Sequence, residues 1–271
     1  MSLPEHLRAV ITGGASGLGR ALAVEVAARG GRVLVADLDE AGSEETLRLV
    51  REAGAHGSFT RCDVRDPQQV ASLLDAADER MGGVDLIANN AGVAVSGKVG
   101  EIGLDDWRWI VDINQWGVIY GCHTFVPRFV AQGRGYVLNV ASAAGLLSAP
   151  QMAPYNVTKA AVVALSETLH AELAGTGVKV SVLCPTFFKT NIMNAARGPA
   201  EHGGLANKLM ERSRVQAPDV AREALDAVGA GRLYVVPMTD GRMMWRVKRA
   251  LPEAYVRLVA WADKRRPVTG A

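Results

Sequence analysis

Tyr155 and Lys159 stand four residues apart in the run Tyr155-Asn156-Val157-Thr158-Lys159, with Ser142 upstream of both. Positions i and i+4 of a helix lie one turn apart on the same face, so a phenol and an ammonium placed there can act together. A free phenol, with a pKa of about 10, is a poor base at neutral pH, and a fixed ammonium beside it favours the phenolate. Such a pair can take the proton of an alcohol or return one to a carbonyl oxygen. A serine hydroxyl bonded to the same oxygen would hold it in line. Taken alone, Tyr155 reads equally well as a helix-start aromatic packed on the core, and a Tyr-x-x-x-Lys pair arises by chance in many chains.

A second cluster opens the chain. Thr12-Gly13-Gly14-Ala15-Ser16-Gly17-Leu18-Gly19 falls between an apolar run and a segment of helical periodicity. Gly13 permits a tight turn off a strand, Gly17 a close approach of backbone to a diphosphate, and Gly19 close packing of helix on strand. Ser16 and Leu18 complete the stretch assigned to a dinucleotide, whose anion would meet the unpaired N–H groups of the helix N-terminus. Asp37 ends the next apolar run, eighteen positions after Gly19. An acid there can accept hydrogen bonds from both hydroxyls of an adenosine ribose and repels a 2′-phosphate. Ser16 and Leu38, flanking that ribose, are neutral. The expected cofactor is therefore NAD(H), with NADP(H) the weaker reading.

These residues need a frame. Strand-like runs at 7–12, 32–37, 58–62, 84–88, 135–140, 178–183 and 233–236 alternate with helical segments, among them 20–29, 104–131 and 154–174. Asp66-Pro67 reads as an N-cap followed by the first helical position, and Gly30-Gly31 as a helix end. Runs apolar on both faces suit a parallel sheet covered by helices on each side. The expected fold class is α/β, a doubly wound parallel sheet of Rossmann type, built as one domain over 1–271. Residues 191–214, with Gly198-Pro199 and Gly203-Gly204, read as a substrate lid.

Composition removes other classes. A net charge of +2 over 271 residues gives no reason to expect a nucleic-acid partner. No uncharged apolar run approaches the roughly 20 residues of a membrane span, and the N-terminus lacks the pattern of a secretory signal, so the cytoplasm is expected. Cys62, Cys122 and Cys184 match neither a zinc site nor a redox motif and read as buried thiols; no metal site is expected.

The ordered set of the glycine loop, Asn89-Asn90-Ala91-Gly92, Asn114, Ser142 and Tyr155-x-x-x-Lys159 resembles the short-chain dehydrogenase/reductase family over roughly residues 5–236. That resemblance implies an alcohol dehydrogenase or ketone reductase in which Lys159 also bonds the nicotinamide ribose. It implies that Asn114 completes a proton relay from Lys159 to water, that Asp63 and Val64 contact adenine, and that Asn90, Ala91 and Gly92 lie beneath the cofactor. After the sixth strand, Pro185, the Phe188 backbone and Thr190 take the family's nicotinamide contacts. Thr186 stands where relatives carry glycine, so the local path is expected to differ.

Ser142, Ala144, Met152, Tyr155 and Phe187 are the expected substrate contacts, in a largely apolar pocket that also draws on 93–95 and 143–147 and suits a hydrophobic or aromatic secondary alcohol. Residues 241–266 form a basic amphipathic helical extension of net charge +6, with Arg242, Arg246 and Arg249 on one face and Met244, Val247 and Leu251 roughly opposite. Packing of that apolar stripe on its own domain or on a partner subunit is favoured over contact with a membrane surface. Ala160, Ala161, Ala164 and Ala171 broaden the apolar part of their helix and predict pairing with a second copy, giving a homotetramer, or a dimer if the extension blocks one contact. Two competing functions remain open: an NADP(H)-dependent biosynthetic ketoreductase, against which Asp37 argues, and a catalytically silent binding protein, against which the intact Ser142, Tyr155 and Lys159 argue.

Overall fold

Seven strands form one sheet: β1 (Arg8–Thr12), β2 (Arg32–Asp37), β3 (Gly57–Arg61), β4 (Leu86–Asn89), β5 (Gly135–Val140), β6 (Val178–Leu183) and β7 (Tyr234–Val235). Their order is β3-β2-β1-β4-β5-β6-β7, and every pairing is parallel. The computed structural model describes residues 3–188, 192, 196–198, 213 and 215–265. Successive strand residues point to opposite faces, and here both faces are buried. Val10, Leu34, Ile87, Val137 and Val180 join Leu73, Phe125, Phe129 and Val162 on one side. Ile11, Val35, Leu86 and Leu138 meet Leu22, Val26, Leu225 and Val228 on the other. This double burial produces the near-continuous apolar runs that marked the strands in the sequence.

The helices among the described residues are α1 (Gly17–Ala28), α2 (Glu40–Glu52), α3 (Pro67–Met81), α4 (Leu104–Val111), α5 (Gly117–Ala131), α6 (Ala143–Leu147), α7 (Ala153–Glu172), α8 (Ala217–Gly229), α9 (Thr239–Ala250) and α10 (Pro252–Lys264). Asp66 caps α3 by accepting from Gln68 N and Gln69 N, with Pro67 in the first position and left-handed Gly82 closing the helix. The helix expected at 104–131 is interrupted: Asp112–Trp116 forms a π turn between α4 and α5. Such turns often sit at functional positions. This one carries Asn114, fully buried, against the loop after β4 and helix α7. No helix of the described residues is long and apolar enough to cross a membrane.

The winding reverses between β1 and β4. A crevice therefore opens at the C-terminal ends of these strands, the location where open α/β sheets bind ligands. The loops after β1, β4, β5 and β6 surround it.

The extension packs on its own domain, but not through the α9 stripe. Helix α9 docks through buried Gly241 and half-buried Trp245 and Lys248, and α10 through Tyr255, Val259 and Asp263. Met244, Val247 and Leu251 are 40%, 43% and 60% exposed, so the apolar stripe does not pack on its own domain. Close approach at Gly241 and hydrogen bonding from Lys248 and Tyr255 attach these helices instead.

Candidate active site

The glycine loop is required by its own geometry. Gly13 and Gly17 have positive φ, at 65° and 53°. A Cβ on Gly19 would lie 2.1 Å from Gly13 O and 2.5 Å from Asn90 Nδ2. Thr12 and Asn90 tie this loop to the one after β4. The Thr12 hydroxyl accepts from Asn90 N and Ala91 N at 3.0 and 3.1 Å, while Asn90 Nδ2 donates to Thr12 O and Gly13 O at 2.9 and 3.0 Å. Helix α1 starts at Gly17 with Ser16 as its N-cap residue, and no side chain caps its first N–H groups. Leu18 is buried beneath. The result is a cradle of bare backbone with unclaimed donors at a helix N-terminus, which fits a dinucleotide diphosphate.

Asp37 lies at the rim of that cradle. One carboxylate oxygen accepts from Ala15 N at 2.9 Å, the other from Leu38 N and Asp39 N at 2.7 and 3.1 Å. These bonds fix the orientation of the carboxylate. Asp63 is less free: Arg65 bridges it at 2.6 Å and holds its carboxyl below the usual carboxylate range. Val64 is buried against Gly117. The sequence reading weighed only Ser16 and Leu38 around the ribose, yet Arg61 aligns with Asp37 across the β2–β3 pairing. Only the strand pairing brings the two level, and no local motif carries it.

Ser142, Tyr155 and Lys159 come together beyond the ends of β5 and β6. Ser142 is the N-cap of α6, accepting from Ala144 N at 3.1 Å and donating to Pro185 O at 3.5 Å, and its hydroxyl faces the Tyr155 phenol. Tyr155 lies in the first turn of α7, partly buried against Val95, Ile102 and Ile110. One turn on, buried Lys159 donates from Nζ to Val140 O at 2.9 Å, with Nζ 5.7 Å from the centre of the Tyr155 ring. Burial pushes the Tyr155 phenol up, which the Ser142 bond opposes, and burial brings Lys159 down to about 8. Cys184 sits beside both; burial pushes its thiol up to about 12, so it stays neutral there. Cys62, Cys122 and Cys184 are all free and buried.

Asn114 and Gly92 close the inner wall. Asn114 exchanges two bonds with the Val93 main chain, at 2.8 and 2.9 Å, and approaches the Thr158 hydroxyl at 3.4 Å. A Cβ on Gly92 would lie 3.3 Å from both Asn114 Oδ1 and Lys159 Nζ, so the Asn90-Ala91-Gly92 turn runs between the two.

The outer wall is more mixed. Pro185 O accepts from Ala143 N at 2.9 Å, joining the loops after β5 and β6. Phe187 is 37% exposed, whereas the Phe188 side chain is buried in the core. Met152 bridges to Gly97 at the start of α7, and Ala144 is partly buried beside Ser142. Val95, Ala143, Leu146 and Leu147, read as pocket lining, are buried. Thr190 and most of 191–214 lie outside the described residues. Within that stretch Arg197 bridges to Val95, stacks at 3.9 Å over the Trp109 ring and pairs with Asp106 at 3.3 Å. Thr186 approaches Asp240 at 3.4 Å, and its methyl group fills the space where a Cβ on Gly241 would stand.

The sequence profile described as short chain dehydrogenase matches residues 8–200. The chain belongs to the short-chain dehydrogenase/reductase family. It is similar to a short-chain dehydrogenase/reductase from Burkholderia phymatum solved in complex with NAD, at 34% identity, 99% coverage of both chains and a TM-score of 0.87. It is also similar to a variant of actinorhodin polyketide ketoreductase solved with NADPH, at 28% identity, 88% of this chain, 97% of that one and a TM-score of 0.76. Among curated proteins, 1-deoxy-11-beta-hydroxypentalenate dehydrogenase of Streptomyces exfoliatus is 34% identical over 88% of this chain and 85% of its own length. The molecule is thus an oxidoreductase of the short-chain dehydrogenase/reductase family, an enzyme of alcohols and their carbonyl counterparts.

Proposed function

We propose that this enzyme interconverts a hydrophobic or aromatic secondary alcohol and its ketone with NAD(H), using Tyr155 as general acid/base. The observation that carries the reading is the gathering of Ser142, Tyr155 and Lys159 next to the glycine cradle, with the Asp37 carboxylate at its rim. Bound NAD+ supplies the acceptor for the two electrons that leave the carbinol carbon. Tyr155 takes the alcohol proton, and Ser142 holds the same oxygen in line. Lys159 bonds the nicotinamide ribose and supplies positive charge beside Tyr155. Asn114 shapes the loop around Gly92 and completes the path from Lys159 toward water.

Gly13, Ser16, Gly17, Leu18, Gly19, Asn90, Ala91 and Gly92 hold the diphosphate and its neighbours in this reading. Asp37 takes the ribose, Asp63 and Val64 the adenine, and Pro185, Phe188 and Thr190 the nicotinamide. Ala144, Met152 and Phe187 line the substrate side with Ser142 and Tyr155. Arg61 favours the second reading, an NADP(H)-dependent ketoreductase, because it brings a cation level with Asp37. The test is a panel of secondary alcohols with NAD+ and NADP+, followed by absorbance of the reduced cofactor. A higher kcat/KM with NAD+ is expected; equal values or a preference for NADP+ would transfer the assignment.

A homotetramer, with a dimer as the alternative, belongs to the same proposal. Its support is an open face on α7 at Val157, Ala160 and Ala164, and another at Trp116 and Val130 beside and within α5. Free buried thiols suit the reducing cytoplasm. We assign residues 191–214 as the substrate lid.

A further inference from the structure

The two C-terminal helices touch β7 through Trp245 against Tyr234 and approach α8 through Arg242 and Glu223, and a set of their hydrogen bonds reaches the segment that begins at Ser142. Lys248 Nζ donates to Leu146 O at 2.7 Å and to the Ser148 hydroxyl at 3.1 Å. The Tyr255 hydroxyl donates to Leu147 O at 3.1 Å. Gln151 Nε2 donates to Asp263 at 3.3 Å. Leu146 and Leu147 are the last residues of α6, whose N-cap is Ser142. The five-residue helix thus has Ser142 at one end and the extension at the other. So short a helix has no independent stability and depends on its surroundings for its place. Its final carbonyls would otherwise lack donors, and here a cation and a phenol supply them.

A second observation concerns the backbone. Among the described residues three non-glycine residues have positive φ, and two of them, Ser148 at 56° and Gln151 at 62°, follow α6. Left-handed conformations cost free energy in residues with a Cβ and persist where neighbouring contacts over-determine them. Both are bonded to the extension through their side chains. The loop after β6 is gripped as well, by Thr186 against Gly241 and Asp240. The departure from the family pattern at Thr186 and the presence of the extension are thereby two halves of one contact.

We propose that the C-terminal helix pair is a positioning element of the active site, in which Lys248 and Tyr255 fix α6 and the 148–152 turn and so hold Ser142 against Tyr155. This rests on the alcohol–ketone reading for its kinetic consequence but not for its structural one. Lys248 and Tyr255 touch neither substrate nor cofactor. Their effect passes through Ser142 and Met152, which places chain length beyond β7 among the determinants of which alcohol is accepted.

The test compares wild type with Lys248→Met, Tyr255→Phe, the double variant and Lys248→Arg. Amide hydrogen exchange is followed by mass spectrometry, beside steady-state kinetics with 1-phenylethanol and NAD+. In the double variant, exchange over 143–152 is expected to rise about 10-fold while peptides covering 10–22 are unchanged. kcat for 1-phenylethanol is expected to fall about 10-fold at an unchanged KM for NAD+, with Lys248→Arg restoring most of the loss. Unaltered exchange over 143–152 would overturn the proposal, as would a rise spread evenly over the chain. Raised exchange with unaltered kcat and KM would also overturn it, because Ser142 would then not depend on the extension. Exchange needs no turnover, so absence of 1-phenylethanol oxidation in wild type counts against the alcohol reading and leaves exchange to decide the positioning role.

Discussion

At the residue scale, the proposed chemistry turns on what burial does to the protonation of Tyr155 and Lys159. The spacing made the pairing legible, but the sequence reading expected the ammonium to draw the phenol down. In the folded chain, burial raises Tyr155 and lowers Lys159 to about 8, and Lys159 Nζ donates to Val140 O. Desolvation disfavours both charged forms, a term that composition and spacing do not carry. Burial thus holds Tyr155 as the neutral phenol at neutral pH. Alcohol oxidation, which needs that proton removed, should therefore gain in kcat/KM as pH rises toward the phenol's raised range, and ketone reduction, which needs it in place, should decline. Initial rates in both directions from pH 6.5 to 9.5 would check this. A flat oxidation profile would exclude Tyr155 as the titrating group. The Arg65 bridge to Asp63 and the alignment of Arg61 with Asp37 were likewise invisible, because each depends on neighbours set by strand pairing or a turn.

At the element scale, most of the frame could be read directly. Double burial of the central strands and the cap at Asp66 leave plain marks in a sequence, and the observed strands lie within a few residues of their expected ranges. The π turn at Asp112–Trp116 was not legible, since one extra residue in a helix barely alters apolar periodicity. Nor was the docking face of α9, because an amphipathicity argument seeks the apolar stripe, whereas Gly241, Trp245 and Lys248 make the contact. A buried polar chain was also missed: Asn89 Nδ2 donates to Asn139 Oδ1 at 2.8 Å, and Asn139 Nδ2 to the Ser166 hydroxyl at 3.0 Å. It joins β4, β5 and α7 beneath the site. A Cβ on Gly121 of α5 would meet Asn89 Oδ1 at 1.9 Å. Gly121→Ala should therefore destabilise the fold by about 1–3 kcal/mol. Thermal unfolding followed by circular dichroism should show Tm lowered by about 5 °C; an unchanged Tm would mean that α5 shifts freely.

At the scale of the whole molecule, the exposed surface is uneven. Trp116 stacks on Tyr120 at 5.5 Å and is still 44% exposed, and Val130 at the far end of α5 and Val157, Ala160 and Ala164 of α7 are open as well. A second apolar region covers the outer side of the extension at Met243, Met244, Val247, Leu251, Leu258 and Trp261. Two separate faces suit an assembly with two two-fold axes. Light scattering coupled to size exclusion at micromolar concentration should give the mass of four chains. A dimer would mean that the extension's face stays free, and a monomer would refute pairing through α5 and α7.

All of these levels serve one claim, that Tyr155 moves the proton in an NAD-linked oxidation. The most direct test is kcat for Tyr155→Phe with NAD+ and whichever secondary alcohol of the panel wild type oxidises fastest, alongside NAD+ affinity by calorimetry. The substitution removes one oxygen and keeps the ring against Val95, Ile102 and Ile110. The account predicts NAD+ affinity within about two-fold of wild type and kcat lower by about 10²–10⁴-fold. Turnover within a few-fold of wild type would contradict it.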